Sequence, residues 1–108
     1  MRAVTRSASS DRQLTEDLAR LVMGWRSTAN RFLKPGRGWL PKWRFAPLER
    51  LEDAFQLLRA ANRYVLSCNP NHIFTAEIWI GRRTGKASDE HEARAIAIAA
   101  GRALGLEV

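Results

Sequence analysis

The sequence predicts an α+β domain built from three helices, a short hairpin carrying tryptophan and proline, and an antiparallel pair of strands. Three observations carry this. Apolar residues recur at helical spacing in three separated windows. The runs "YVLSCN" and "IFTAEIWI" gather β-branched and aromatic residues on either side of the turn formers Pro70 and Asn71. Between the first two helical windows, Pro35, Gly36, Gly38 and Pro41 break the period.

Each element has its own reason. Residues 1–9 are small and polar and are expected to form a disordered tail ahead of a single domain over residues 10–108. Ser10 stands three residues before Gln13, the spacing of a capping box, and Leu14, Leu18, Leu21, Val22 and Trp25 follow at helical intervals until Gly24 stops the helix. In the hairpin, "RFL" should face "GWLPKW" across the turn "KPGR". Pro47 suits the first turn of a second helix, with Leu48, Leu51, Phe55 and Leu58 as its apolar face. In the second long strand, Phe74, Ala76, Ile78 and Ile80 share the face expected to meet the core. "GRRTGK" reads as a polar turn. Ser88 or Asp89 then caps a third helix with Ala93, Ile96, Ala97, Ala100 and Leu104 as its stripe, ended by Gly105. So many alanines imply close approach to a neighbour.

The chain has 108 residues and 45% hydrophobic content, enough for one core and too little for two. It holds no apolar run long enough to span a bilayer, and its N-terminus lacks the apolar centre of a signal peptide; a soluble, cytoplasmic protein is expected. Cys68, the single cysteine, can form no internal disulfide and offers no ligand pair for zinc; it is read as a reduced, partly buried strand residue. No metal or cofactor is implied.

The net charge of +7 is unevenly placed. Residues 1–50 hold eleven Arg or Lys against four acids, whereas residues 51–108 hold seven of each. No Asp or Glu lies between Asp17 and Glu49, and Arg31, Lys34, Arg37, Lys42 and Arg44 all fall in that gap beside Phe32, Trp39 and Trp43. Cations attract phosphate, and indoles stack bases or accept cation–π contacts. Trp39 and Trp43 therefore serve a partner, close the core, or do both. A second, weaker candidate is the cationic turn Arg82, Arg83 and Lys86 in "GRRTGKAS", which leads toward a helix N-terminus. Its glycine spacing and the alanine after Lys86 exclude a Walker loop. His72 and His91 have no Ser, Cys or Asp companion at a recognisable catalytic spacing, so no enzyme is expected.

The run "LARLVMGWR", the Trp- and Pro-containing hairpin, the helix "LERLEDAFQLLRAA", the Trp-bearing strand and the alanine-rich last helix together resemble the phage ABA-sandwich family over residues 14–105. The resemblance implies an α-β-α sandwich, a small antiparallel sheet between helical layers, and a phage setting inside an infected bacterial cell. It departs at Phe45-Ala46-Pro47-Leu48-Glu49, where the family pattern has hydroxyl-bearing residues. It implies no chemistry.

The expected function follows from the basic patch: a non-enzymatic phage accessory protein that binds and sequesters a small anionic nucleotide, a host defence signal. Arg31, Lys34, Arg37, Lys42 and Arg44 would meet phosphates, Trp39 or Trp43 a base, and Arg82, Arg83 and Lys86 would assist. A homo-oligomer is expected from uncovered sheet edge or indole surface. The alternatives are a nucleic-acid-binding phage protein and an interaction module for an acidic host protein.

Overall fold

The computed structural model describes residues 8–108, with side chains from Ser10 onward. In chain order it contains α1 (Ala8–Leu21), β1 (Arg26–Ser27), β2 (Arg31–Leu33), β3 (Trp39–Pro41), a single 3-10 turn (Lys42–Arg44), α2 (Leu51–Leu58), β4 (Arg63–Cys68), β5 (Phe74–Ile80), β6 (Arg83–Asp89) and α3 (Glu92–Ala103). The strands form two antiparallel sheets, ordered β1-β2-β3 and β4-β5-β6. The class is therefore α+β, with three helices as expected. None of the helices is long and apolar enough to cross a membrane, among the described residues.

The expected tail falls mostly outside the described residues. Ala8 and Ser9 already belong to α1, so Ser10 lies inside the helix rather than at its cap. Gly24, at φ 74°, supplies the left-handed turn that ends this segment. The hairpin pairs "RFL" with "WLP" as expected, with Phe32 opposite Leu40 and Leu33 opposite Trp39, and β1 adds a short third strand.

The helix expected from Pro47 begins later. Pro47 starts an isolated turn in which the N–H groups of Glu49 and Arg50 both donate to the Ala46 carbonyl. Arg50 then turns extended, and α2 starts at Leu51. The buried Asp53 reaches back to accept a hydrogen bond from the Ala46 N–H at 2.9 Å, which fixes this turn against the helix. The buried face of α2 is Ala54, Leu57 and Leu58, while Leu51 and Phe55, expected inside, are exposed.

The largest departure is β6. The expected polar turn shrinks to Gly81 and Arg82, and residues 83–89 pair along the whole of β5. Its inward residues are Gly85 and Ala87, too small to announce a strand. They leave room for α3, which lies against β5 and β6 and is also contacted by α1 and α2. A Cβ on Gly85 would overlap the Ala99 carbonyl oxygen and the Ala103 nitrogen, so the glycine sets how near the helix lies. On the α1 side, Gly101 similarly lies under Leu14. Nearly every residue of α3 is buried, and Arg94 clamps it to α1 through a bidentate pair with Asp11 at 3.0 and 3.1 Å.

Among the described residues, the second sheet is covered on one face only. Ala76, Ile78, Gly85 and Ala87 meet α3, whereas Val65, Ser67, Thr84, Lys86 and Ser88 on the opposite face are exposed and Glu77 and Trp79 half-buried. Among the described residues, helices thus lie against one side of this sheet. Its alternate positions are mostly polar or charged, with Val65 and Trp79 as the apolar exceptions. Cys68, expected to be partly buried, is exposed at the end of the edge strand β4, although it stands on the helical face opposite Phe74.

Candidate functional site

The tryptophans divide cleanly. Core closure falls to Trp25, whose ring lies 4.9 Å from Phe45 in a T-shaped contact and 5.8 Å from Phe32; Phe32 and Phe45 complete the trio at 6.0 Å. Such pairs add about 0.5–1.5 kcal/mol each beyond area burial. With this cluster filled by residues from three loops and strands, Trp39 and Trp43 are left outside at 54% and 72% exposure.

Strand alternation explains Trp39. In the hairpin Phe32 is buried and Leu40 half-buried against the core, which turns Arg31, Leu33 and Trp39 outward. The Arg31 guanidinium lies 4.4 Å from the Trp39 ring centre. Trp43, on the 3-10 turn, has the Arg44 guanidinium at 5.6 Å. Each exposed indole therefore carries a cation beside it. Lys34 lies 5.7 Å from the Trp25 ring, and Arg37 sits exposed at the hairpin tip beside Gly36 and Gly38, both at positive φ.

Lys42 differs from its neighbours. It bonds Glu16 of α1 at 2.7 Å and lies 5.4 Å from the Phe32 ring. This bond holds the Glu16 carboxyl below its usual range; burial opposes the shift, and the Ser27 hydroxyl and the charges of Lys42 and Arg12 add to it. The carboxylate-free stretch of the sequence is thus partly neutralised in space by an acid 26 residues away. Lys42 is a strut between hairpin and helix, and the cations left to face solvent are Arg31, Lys34, Arg37 and Arg44.

Beside this turn lies a cleft of about 910 Å³, formed between α1, the 3-10 turn and the Pro47 turn. Trp43, Phe32 and Phe45 supply its aromatic wall, and Arg12, Lys42 and Arg50 its cations. Asp11, Glu16 and Glu49 also line it, but Asp11 is engaged by Arg94 and Glu16 by Lys42. Arg12 and Arg50 carry no local signal in the sequence; they reach the cleft because α1 and the turn after Pro47 converge there.

Arg82, Arg83 and Lys86 do not join this cluster. Arg82 caps the β5–β6 turn, Arg83 donates to the Leu104 carbonyl at 3.3 Å, and Lys86 stands opposite Glu77 in the ladder. The polar turn read from "GRRTGKAS", the weaker candidate for anion contact, is mostly the start of a strand, and of its cations Arg83 bonds the end of the last helix. His72 sits at a turn with φ 62°, and His91 at the start of α3, both exposed.

No protein-family model and no curated protein matches the chain. Among solved structures, its fold is similar to the crystal structure of a phage protein from Bacillus cereus ATCC 14579, with a TM-score of 0.73 and 15% identity. The match covers 98% of this chain and 97% of that one. At this identity the likeness establishes a shared small α+β fold spanning nearly all of both chains.

Proposed function

We propose that this chain is a non-enzymatic phage accessory protein that binds and sequesters a small anionic nucleotide at the Trp43 cleft. One observation carries the reading: Trp43 is 72% exposed, with a guanidinium beside it, at the lip of a cleft of nucleotide scale. A large indole left in water while three other aromatics fill the core favours contact with a partner. A base stacks on Trp43, and its phosphates meet Arg12, Arg50 and Arg44 through charge-assisted bonds. The phage setting is that of the structural neighbour and enters here as part of the proposal.

A second reading is favoured by cations outside the cleft. Arg31, Lys34, Arg37 and Trp39 extend along the hairpin, a track suited to a single-stranded backbone with stacked bases. The two separate by experiment. Purified protein is melted with a panel of mono-, di- and cyclic oligonucleotides and with short RNA and DNA. Sequestration requires that one small nucleotide raise stability, by about 2.7 kcal/mol at a hundredfold excess over Kd, and that Trp43→Ala abolish the shift. Binding of polymer alone, weakening steeply with salt, replaces it with the second reading.

A further inference from the structure

We infer that two copies of this chain pair through β4, antiparallel about a twofold axis at Leu66, to form a continuous six-stranded sheet. The two edges of the β4-β5-β6 sheet are treated differently. At β6, Arg102 donates to the Lys86 carbonyl at 2.8 Å and Arg83 bonds the end of α3, so that edge is already occupied. At β4 nothing in the described residues takes this role. The strand is six residues long, without proline or glycine, and its one charge is Arg63 at its first position. It lacks the devices that keep an edge from pairing.

Its hydrogen-bonding groups are ready for a strand. The Asn69 N–H donates to the Ile73 carbonyl and continues the ladder to β5. By antiparallel alternation, Arg63, Val65 and Ser67 bond β5, and Tyr64, Leu66 and Cys68 turn their N–H and C=O groups outward. A twofold axis normal to the sheet keeps each face on its own side. It sets Leu66 against Leu66 of the second copy and Tyr64 against its Cys68.

The grooves flanking β4 make the pairing self-complementary. On the helical face, a groove near the start of the strand is lined by Phe55, Leu58, Arg59, Tyr64 and Leu66. A second groove near its end is lined by Leu66, Cys68, Phe74, Glu92 and Ile96 among others. Both are apolar; the first carries a cation and the second an acid, and neither Arg59 nor Glu92 has an ion-pair partner among the described residues. Antiparallel pairing brings the first groove of one copy to the second groove of the other, so Arg59 faces Glu92 twice. Tyr64, 49% exposed although its face is the core face of the sheet, becomes covered. The surplus of positive charge in residues 1–50 lies on other elements and does not enter this contact.

Molar mass by light scattering and sedimentation, from micromolar to submillimolar protein, tests the pairing independently of any ligand. A dimer is expected, with Leu66 and Cys68 amides protected from hydrogen exchange at high concentration and released on dilution. Tyr64→Lys and Glu92→Arg each weaken the dimer about tenfold or more, and Arg59→Glu combined with Glu92→Arg restores it. A monomer throughout the range overturns the inference. So does a dimer that leaves the Leu66 amide exchanging freely, or one that the single variants do not weaken. Failure of the double exchange to restore association removes the antiparallel arrangement.

Discussion

Gly85→Ala adds one methyl group at the closest approach between sheet and helix. The new Cβ would overlap the Ala99 carbonyl oxygen and the Ala103 nitrogen and lie 2.9 Å from the Arg102 carbonyl carbon. All three are backbone atoms and cannot rotate away. To restore ordinary contact near about 3.5 Å, α3 must retreat by on the order of 1 Å, and a gap of that size forfeits about a quarter to a half of each dispersion well along the seam. The seam includes Ala76, Ile78, Ala87 and Ile96, all buried. The cost is about 3 kcal/mol, at the upper end for overpacking, which corresponds to a Tm lower by about 12–24 °C in a domain of this size. Gly36→Ala is the matched control: its φ is 81° but its surroundings are open, so only backbone strain of about 1–2 kcal/mol applies. Urea unfolding followed by tryptophan fluorescence measures both. If Gly85→Ala costs no more than Gly36→Ala, the close approach of α3 does not limit the fold and the reasoning fails.

Four further substitutions separate architecture from site. Trp25→Ala, which empties the aromatic trio, should cost about 3–5 kcal/mol, whereas Trp43→Ala should stay within about 0.5 kcal/mol of wild type; equal losses in denaturant titrations would return Trp43 to the core. Asp53→Ala strips the Ala46 N–H of its acceptor and should cost about 1–3 kcal/mol, measured by the same unfolding curves. Lys42→Met should raise the Glu16 pKa toward its ordinary value in a carboxyl NMR titration. Because the folded carboxyl is held low, its contribution is present above the ordinary glutamate range and lost as pH falls through the lowered value. As the pair lies near the surface, the loss should not exceed about 1 kcal/mol.

Long periodic segments are readable because their large apolar residues mark the buried face directly: Leu14 and Leu18 in α1, Ile78 in β5, Ile96 in α3. The β6 strand was hidden because its buried positions are Gly85 and Ala87, and period-two alternation in small residues looks like a loop. The phase of α2 was misread for a related reason. Phe55 is the bulkiest residue of the helix, but the buried face carries Ala54, Leu57 and Leu58, and the alanine lets the backbones of α2 and α3 approach. At the site, the exposed cations of the hairpin were legible from composition. Glu16 and Arg12 were not, since their contribution depends on how α1 folds back over the 3-10 turn. Nor could spacing decide which tryptophan fills the core; that depends on Phe32 and Phe45 meeting Trp25 first.

The burial of α3 on several sides has a consequence for how the chain reaches its native state during synthesis. The sheet formed by residues 63–89 lays its core face on residues 92–103, and α1 and α2 pack against the same helix. Until the ribosome has released that helix, the sheet lacks its cover and α1 and α2 lack part of their packing, and all of them depend on one element that brings no large aromatic side chain of its own. Stable structure should therefore arrive late and all at once, which leaves nascent chains stalled before residue 92 as the form most exposed to proteases and chaperones.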